Sequence, residues 1–490
     1  MLVRELPALA KPFPSMPDPV SFTSSELSDV VDGALLHEGG APIHGGVVDS
    51  RRVERGNAFF ALAGERTDGH NFLVDAARRG AAALVVARPP NADQVAELDA
   101  HGEGGPALVL VADPLAALQA MAGAHRSRCE PLVVCITGSL GKTSTKEQVA
   151  EVLAQRWRVM RNAGNENNEI GLPLTLLRLS PADEVAVLEM GMYQPGDIAQ
   201  LAELARPGIG VVTAVRGSHL ERAGSIEAIE RGKRELVEAL PTGGTAVLNA
   251  DDPRVADMAA GRGHDLAVLR YGFSSAADVS AIDIESRATE GMSFRLVTPA
   301  GAAEVKTPAL GRHSVHNALA AAAVGLAAGM ALAEIVAGLE RPFAAAHRTT
   351  LVRAGQWQLL DDTYNAAPDS MIAALNLLAT LPGRHVAVLG EMLELGPDSD
   401  AAHEMVGAHA ARTADVLLVV GPMAERYAHG AAGAIDRRVI LRAATRDEAL
   451  ALLDDHLRPG DVVLLKASRG AAFDLLVDDL VRLANAEPVG

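Results

Sequence analysis

Cysteine is nearly absent: Cys129 and Cys135 are the only two among 490 residues. They form no CxxC pair and no disulfide framework, which excludes a small stapled secreted scaffold and suits a reducing cytoplasm. Positive charge is also short. The formal net charge of -18 argues against general binding to nucleic acid or anionic membranes, because both need clustered Lys and Arg. Aromatic residues make up only 3%. No apolar run reads as a membrane span. The N-terminal "MLVRELPALAKPFPSMPDP" is broken by prolines and is not a signal peptide. Leu319 to Leu339 carries one charge, Glu334, but it is alanine-rich with Gly325 and Gly329 inside, and reads as two packed helices. Lysine is the most telling shortage. Of 44 basic residues only Lys11, Lys142, Lys146, Lys233, Lys306 and Lys466 are lysines, so lysine is expected where a compact or deprotonatable amine is needed.

What is present is a large apolar fraction, 49%, enough for several cores. The length suits about three domains. Residues 20 to 112 alternate short apolar runs with Gly-rich turns, as a small α/β unit would. From 131 to about 341 strand-like runs ("PLVVCITG", "EVAVLEMG", "IGVVTAV", "GTAVLNA") alternate with longer helical patterns, the mark of a doubly wound, mostly parallel sheet. A second alternating region follows from about 347, with "QLLDDTYN", "HVAVLGEM", "VLLVVGP" and "VVLLKAS". Three α/β domains are expected, at 1–113, 114–342 and 343–490.

The stretch "CITGSLGKTSTKE" ends an apolar run in Gly138, Ser139, Leu140, Gly141, Lys142, Thr143 and Ser144. Its glycines are closer together than in the common P-loop, yet a strand before it and an apolar-faced helix after it are the context a phosphate loop requires. Lys142 would meet the β- and γ-phosphates and Thr143 would offer its hydroxyl to Mg²⁺. Glu189 closes the strand "EVAVLEMG", where ligands of open parallel sheets gather, and is a candidate Mg²⁺ ligand; a solvated edge glutamate is the plainer reading. His219 and Lys233 weigh little alone. The asparagines of "RNAGNENNEIGLPLTLL", including Asn168, are adequately explained by turn chemistry.

Together these segments resemble the Mur ligase family, ATP-dependent amide ligases that extend the peptidoglycan stem peptide. The family's loop is similar to T-G-x-x-G-K-T, with the short spacing found here. The order "DSR", "GNAFFALAGERTDGH", the loop, "NNEIGLPL", "EMG", "HLE", "LNADDP", "GRHSVHNALAAAA", "DDTYNAAPDSM" and "KASRG" agrees over most of the chain. "TGSLGKTSTKE", "DDTYNAAPDSM" and "VLGEMLELG" resemble the member that adds D-alanyl-D-alanine to UDP-N-acetylmuramoyl-tripeptide. The resemblance implies three α/β domains: N-terminal for the UDP substrate, central for ATP, and a Rossmann-like C-terminal one. It implies ATP, two Mg²⁺ ions, a cytoplasmic monomer, and an acyl phosphate intermediate. By resemblance Glu189 and His219 are metal ligands, and Lys233 is carbamylated to become one, since an ammonium cannot ligate a cation. Asn317 is similar to the adenine-side asparagine, and Arg348 and Asp362 to groups reaching the γ-phosphate and ribose. Ser50 and Arg51 fall in the region resembling the UDP-binding portion, Asn168 is expected to bind substrate, and Tyr364 and Asn365 are expected to line the site for the incoming dipeptide. Ala467 stands where relatives usually have Gly. A P-loop kinase or GTPase and a non-catalytic nucleotide sensor are the rival classes. No Asn-Lys pair exists for a guanine motif, and a sensor has no use for Glu189, His219 and Lys233 together.

Overall fold

The computed structural model describes residues 19–64, 67–99, 104–217, 224–262, 265–343, 345–434 and 439–485. It holds three sheets, one per α/β unit. The first has five strands; Ala34–His37 runs antiparallel to Ala107–Leu110 at one edge and the other pairings are parallel. The second has nine strands, and the third six, with Thr350–Ala354 as an antiparallel edge on an otherwise parallel sheet.

Why the central sheet is covered on both faces follows from the side-chain alternation of a strand. In Leu132–Thr137, Val133 and Cys135 enter one hydrophobic core while Val134 and Ile136 enter the other. Ala186 and Leu188 against Val185 and Val187 repeat the division in Val185–Glu189. The C-terminal sheet does the same: Ala387 and Leu389 face one core, Val386 and Val388 the other. Both cysteines are buried, and burial pushes their thiols up, so they pack as inert small apolar groups.

The alanine-rich stretch forms two helices, Arg312–Ala327 and Leu332–Leu339. Small side chains let them approach the loop helix Lys142–Leu153 closely. A Cβ on Gly338 would lie 2.4 Å from Val152 Cα, and one on Gly325 would lie 3.1 Å from Val152 Cγ1. Among the described residues no helix is long and apolar enough to cross a membrane. The alternation of strands and helices misses one part of the sheet. Val279–Ser286, Met292–Thr298 and Gly301–Thr307 form an antiparallel extension at one end of the central sheet.

Candidate active site

The apolar strand Leu132–Thr137 delivers the chain into a tight loop under the N-terminus of the helix Lys142–Leu153. Two glycines are required there. Gly138 has φ 149° and a Cβ on it would lie 1.8 Å from Thr213 Oγ1; Gly141 has φ 77° at the helix N-cap. Thr213 Oγ1 donates to Leu140 O at 2.5 Å, tying the loop to the neighbouring strand end. The helix start has no side-chain cap, so its first N–H groups and its dipole are directed at the loop. Lys142 Nζ donates to Gly138 O at 2.7 Å. Burial lowers its pKa, Glu189 opposes that shift, and Arg348 adds to it.

Glu189 ends the strand Val185–Glu189 and is 2% exposed. Its two oxygens accept from Thr143 Oγ1 and from Asn167 Nδ2, both at 2.7 Å. Its own N–H donates to Asn162 Oδ1 at 2.9 Å, and the fully buried Lys146 donates to Asn162 O at 2.7 Å. Hydroxyl and carboxylate oxygens meeting beside a phosphate loop are hard donors of the kind Mg²⁺ takes, and the set fits that ion. Among the described residues no group of three or more His, Cys, Asp and Glu could hold a metal, so an ion here would complete its shell with phosphate and water oxygens. Lys233 lies on the helix Ile226–Glu238, buried, and among the described residues its amine has no hydrogen bond or ion pair. Burial, and secondly the charge of Lys142, lowers its pKa well below the ordinary lysine value. His219 lies outside the described residues.

A cleft of about 940 Å³ joins the central and C-terminal units. Ser139, Leu140, Gly141, Lys142, Ser144, Glu189, Asn168 and Asn317 line its central side, and Arg348, Asp362, Tyr364 and Asn365 its C-terminal side. Asn317 Oδ1 accepts from Thr145 Oγ1 at 3.2 Å, beside Gly141. Asn168 Oδ1 accepts from Gly171 N at 2.9 Å and so starts the helix Gly171–Leu176. Arg348 stacks on the Tyr364 ring at 3.9 Å, and its buried Nε has no partner among the described residues. Asp362 accepts from Lys466 Nζ at 2.6 Å, and Lys466 also donates to Asn365 O at 2.9 Å. Arg216 bridges the units, with Nη1 on Asp252 at 2.5 Å and Nε on Asp369 at 3.1 Å.

Ser50 and Arg51 are not brought into this cleft. Ser50 is buried and Arg51 exposed in the turn Ser50–Arg52 of the N-terminal unit, where Arg51 pairs with Asp49 at 2.7 Å. The sequence reading missed Asn162 and Asn167, which it took for turn chemistry, and it missed Thr213 and Arg216. No local signal marks them: each acts on a residue that only the parallel sheet brings near.

Three family models match: the Mur ligase family catalytic domain over residues 42–126, the Mur ligase middle domain over 136–325, and the Mur ligase glutamate ligase domain over 347–469. The chain is 36% identical over 462 residues to the UDP-N-acetylmuramoyl-tripeptide–D-alanyl-D-alanine ligase of Escherichia coli, covering 94% of this chain and 98% of that one. It superposes on crystal structure I of MurF from Acinetobacter baumannii with a TM-score of 0.85 and 31% identity, covering 95% of this chain and 99% of that one. MurF from Thermotoga maritima, solved in complex with ADP, matches with a TM-score of 0.77 and 28% identity, over 90% of this chain and 98% of its own. The glycine loop at a helix start, the buried carboxylate and the facing C-terminal cluster, together with these matches over nearly full length, place the chain in the Mur ligase family.

Proposed function

We propose that the chain is an ATP-dependent amide ligase that joins D-alanyl-D-alanine to UDP-N-acetylmuramoyl-tripeptide, releasing ADP and phosphate. The observation that carries this reading is the single cleft in which the phosphate loop of one unit faces Arg348, Asp362 and Tyr364 of the next. Relatives over nearly the whole chain carry that activity in their names, and one solved neighbour holds ADP.

A carboxylate is a poor electrophile. Transfer of the γ-phosphoryl group of ATP to the tripeptide's terminal carboxylate gives an acyl phosphate, and the dipeptide amine then displaces phosphate. In our assignment Gly138 to Ser144 cradle the phosphates with backbone N–H groups, and Lys142 offsets charge on the transferred group. Asn317 and Asp362 contact the adenosine, and Arg348 reaches the γ-phosphate. Tyr364 and Asn365 line the acceptor site; Ser50, Arg51 and Asn168 serve the UDP substrate. Two bound Mg²⁺ would supply further positive charge against the phosphates, held by Thr143, Glu189, His219 and a carbamylated Lys233. The low proton affinity of Lys233 supports that last role, since carbamylation needs a neutral amine. Domain limits near 113 and 342, a monomeric state and a cytoplasmic location complete the reading.

An isotope experiment tests the intermediate. With ¹⁸O in the tripeptide carboxylate, an acyl phosphate delivers one labelled oxygen to each phosphate released. Unlabelled phosphate alongside normal product would refute it.

A further inference from the structure

Arg469 opens the turn Arg469–Ala471, directly after the strand Val462–Lys466. It lines the cleft, exposed, and among the described residues its side chain has no hydrogen bond and no ion pair. Its guanidinium carbon lies 5.3 Å from the centre of the Tyr364 ring. In a chain with 62 acidic and 44 basic residues, an arginine left without a carboxylate inside a cleft calls for an anion from elsewhere.

Ser468, the residue before it, is held by two hydrogen bonds. Ser468 N donates to Glu391 O at 2.9 Å, and Ser468 Oγ accepts from Leu393 N at 2.9 Å. A Cβ on Gly470, the residue after it, would lie 3.1 Å from Leu393 Cδ1, and Leu393 is 43% exposed. A guanidinium on a pinned backbone, beside an aromatic ring and near an open leucine, suits a small ligand with one carboxylate and short apolar side chains.

Arg348 lies closer to the same ring, 3.9 Å from its centre. Its charge is felt at Lys142. With Arg348 assigned above to the γ-phosphate, Arg469 is left for a second anion.

We propose that Arg469 binds the free carboxylate of the incoming D-alanyl-D-alanine and thereby sets the requirement for an acceptor with an ionised C-terminus. This rests on the ligase reading above. The dipeptide carries one anionic group, and its amine must point at the acyl phosphate near Lys142. Anchoring the far end to a planar, two-pronged donor orients the amine without touching it.

The test compares D-alanyl-D-alanine with its C-terminal amide, using the full-length enzyme and the variants Arg469→Gln and Arg469→Lys. The wild type should favour the acid over the amide by roughly tenfold to a hundredfold in kcat/KM, as expected for a charged hydrogen-bonded contact. Arg469→Gln should remove that preference by losing the acid alone, with KM for ATP and for the UDP substrate unchanged. Arg469→Lys should restore part of it, having the charge without the fork. An undiminished acid preference in Arg469→Gln, an equal loss with both acceptors, or a raised KM for the UDP substrate would each overturn the assignment. If the wild type ligates neither acceptor, the ligase reading falls first and this assignment falls with it.

Discussion

Lys233 is 4% exposed, and among the described residues its amine makes no hydrogen bond or ion pair. A side chain kept there for packing alone would be replaceable by an isosteric apolar one, and one kept for chemistry would not. Lys233→Met should therefore leave denaturant stability unchanged or raise it, while ligase turnover falls by about two to three orders of magnitude, the scale of losing one preorganised charge contact. Lys233→Arg should do harm of a different kind. Its guanidinium cannot shed a proton, so an unpaired charge stays buried at a cost of about 3–5 kcal/mol. Urea unfolding and phosphate release on the two variants check both statements. Full activity in Lys233→Arg would contradict them. Lys142 and Glu189 were legible in the sequence because a glycine pair and a strand end mark them. Asn162 and Asn167 were not, since they hold Glu189 only through the pairing of Val159–Arg161 beside Val185–Glu189.

Among the elements, two loops do the positioning. Gly138 and Gly196 both have positive φ, but a Cβ on Gly138 would strike Thr213 Oγ1, whereas one on Gly196 meets open space. Gly196→Ala should cost about 1 kcal/mol of backbone strain and nothing else. Gly138→Ala should in addition abolish ADP binding by calorimetry; retained affinity would show that the loop does not hold phosphate.

The other loop, Gly390–Leu393, is pinned by side chains. Tyr427 Oη donates to Gly390 O at 2.8 Å, and Met392 N donates to His403 Nε2 at 3.0 Å. His403 donates through Nδ1 to Ser399 O at 2.6 Å, so its ring is neutral, and burial lowers its pKa. The sign follows from that. Below about pH 6.5 the unfolded chain takes up a proton that the folded one resists, so stability is lost as pH falls through that value. His125, His313 and His316, whose pKa values desolvation also lowers, act in the same direction. His403→Gln should thus show a smaller loss of stability between pH 7.5 and 5.5 than the wild type, measured by urea unfolding; an identical loss would contradict the neutral assignment. The strands around these loops were legible from their apolar runs. The antiparallel extension from Val279 to Thr307 was not, because its strands are half polar and no helix separates them.

For the molecule as a whole, the site exists only where two units meet. Arg216, which follows the strand end behind the phosphate loop, reaches Asp369 at the start of the helix Pro368–Leu378. Both side chains are about half exposed, at 43% and 56%, so the pair contributes less than about 1 kcal/mol to stability. Its effect should appear in assembly of the cleft instead. Asp369→Asn should leave the unfolding midpoint unchanged and raise KM for ATP severalfold; the reverse pattern would make the pair a structural contact only. Three α/β units were legible from the alternation of runs. Which faces form the cleft was not, because that depends on contacts between residues such as Arg216 and Asp369, far apart in sequence.

The most direct test of the central claim is phosphate release from ATP and Mg²⁺ with UDP-N-acetylmuramoyl-tripeptide, with and without D-alanyl-D-alanine. The account predicts sustained release only with both, and a product heavier by the dipeptide. Sustained release with a single amino acid in place of the dipeptide, or no turnover with any amine, would contradict it.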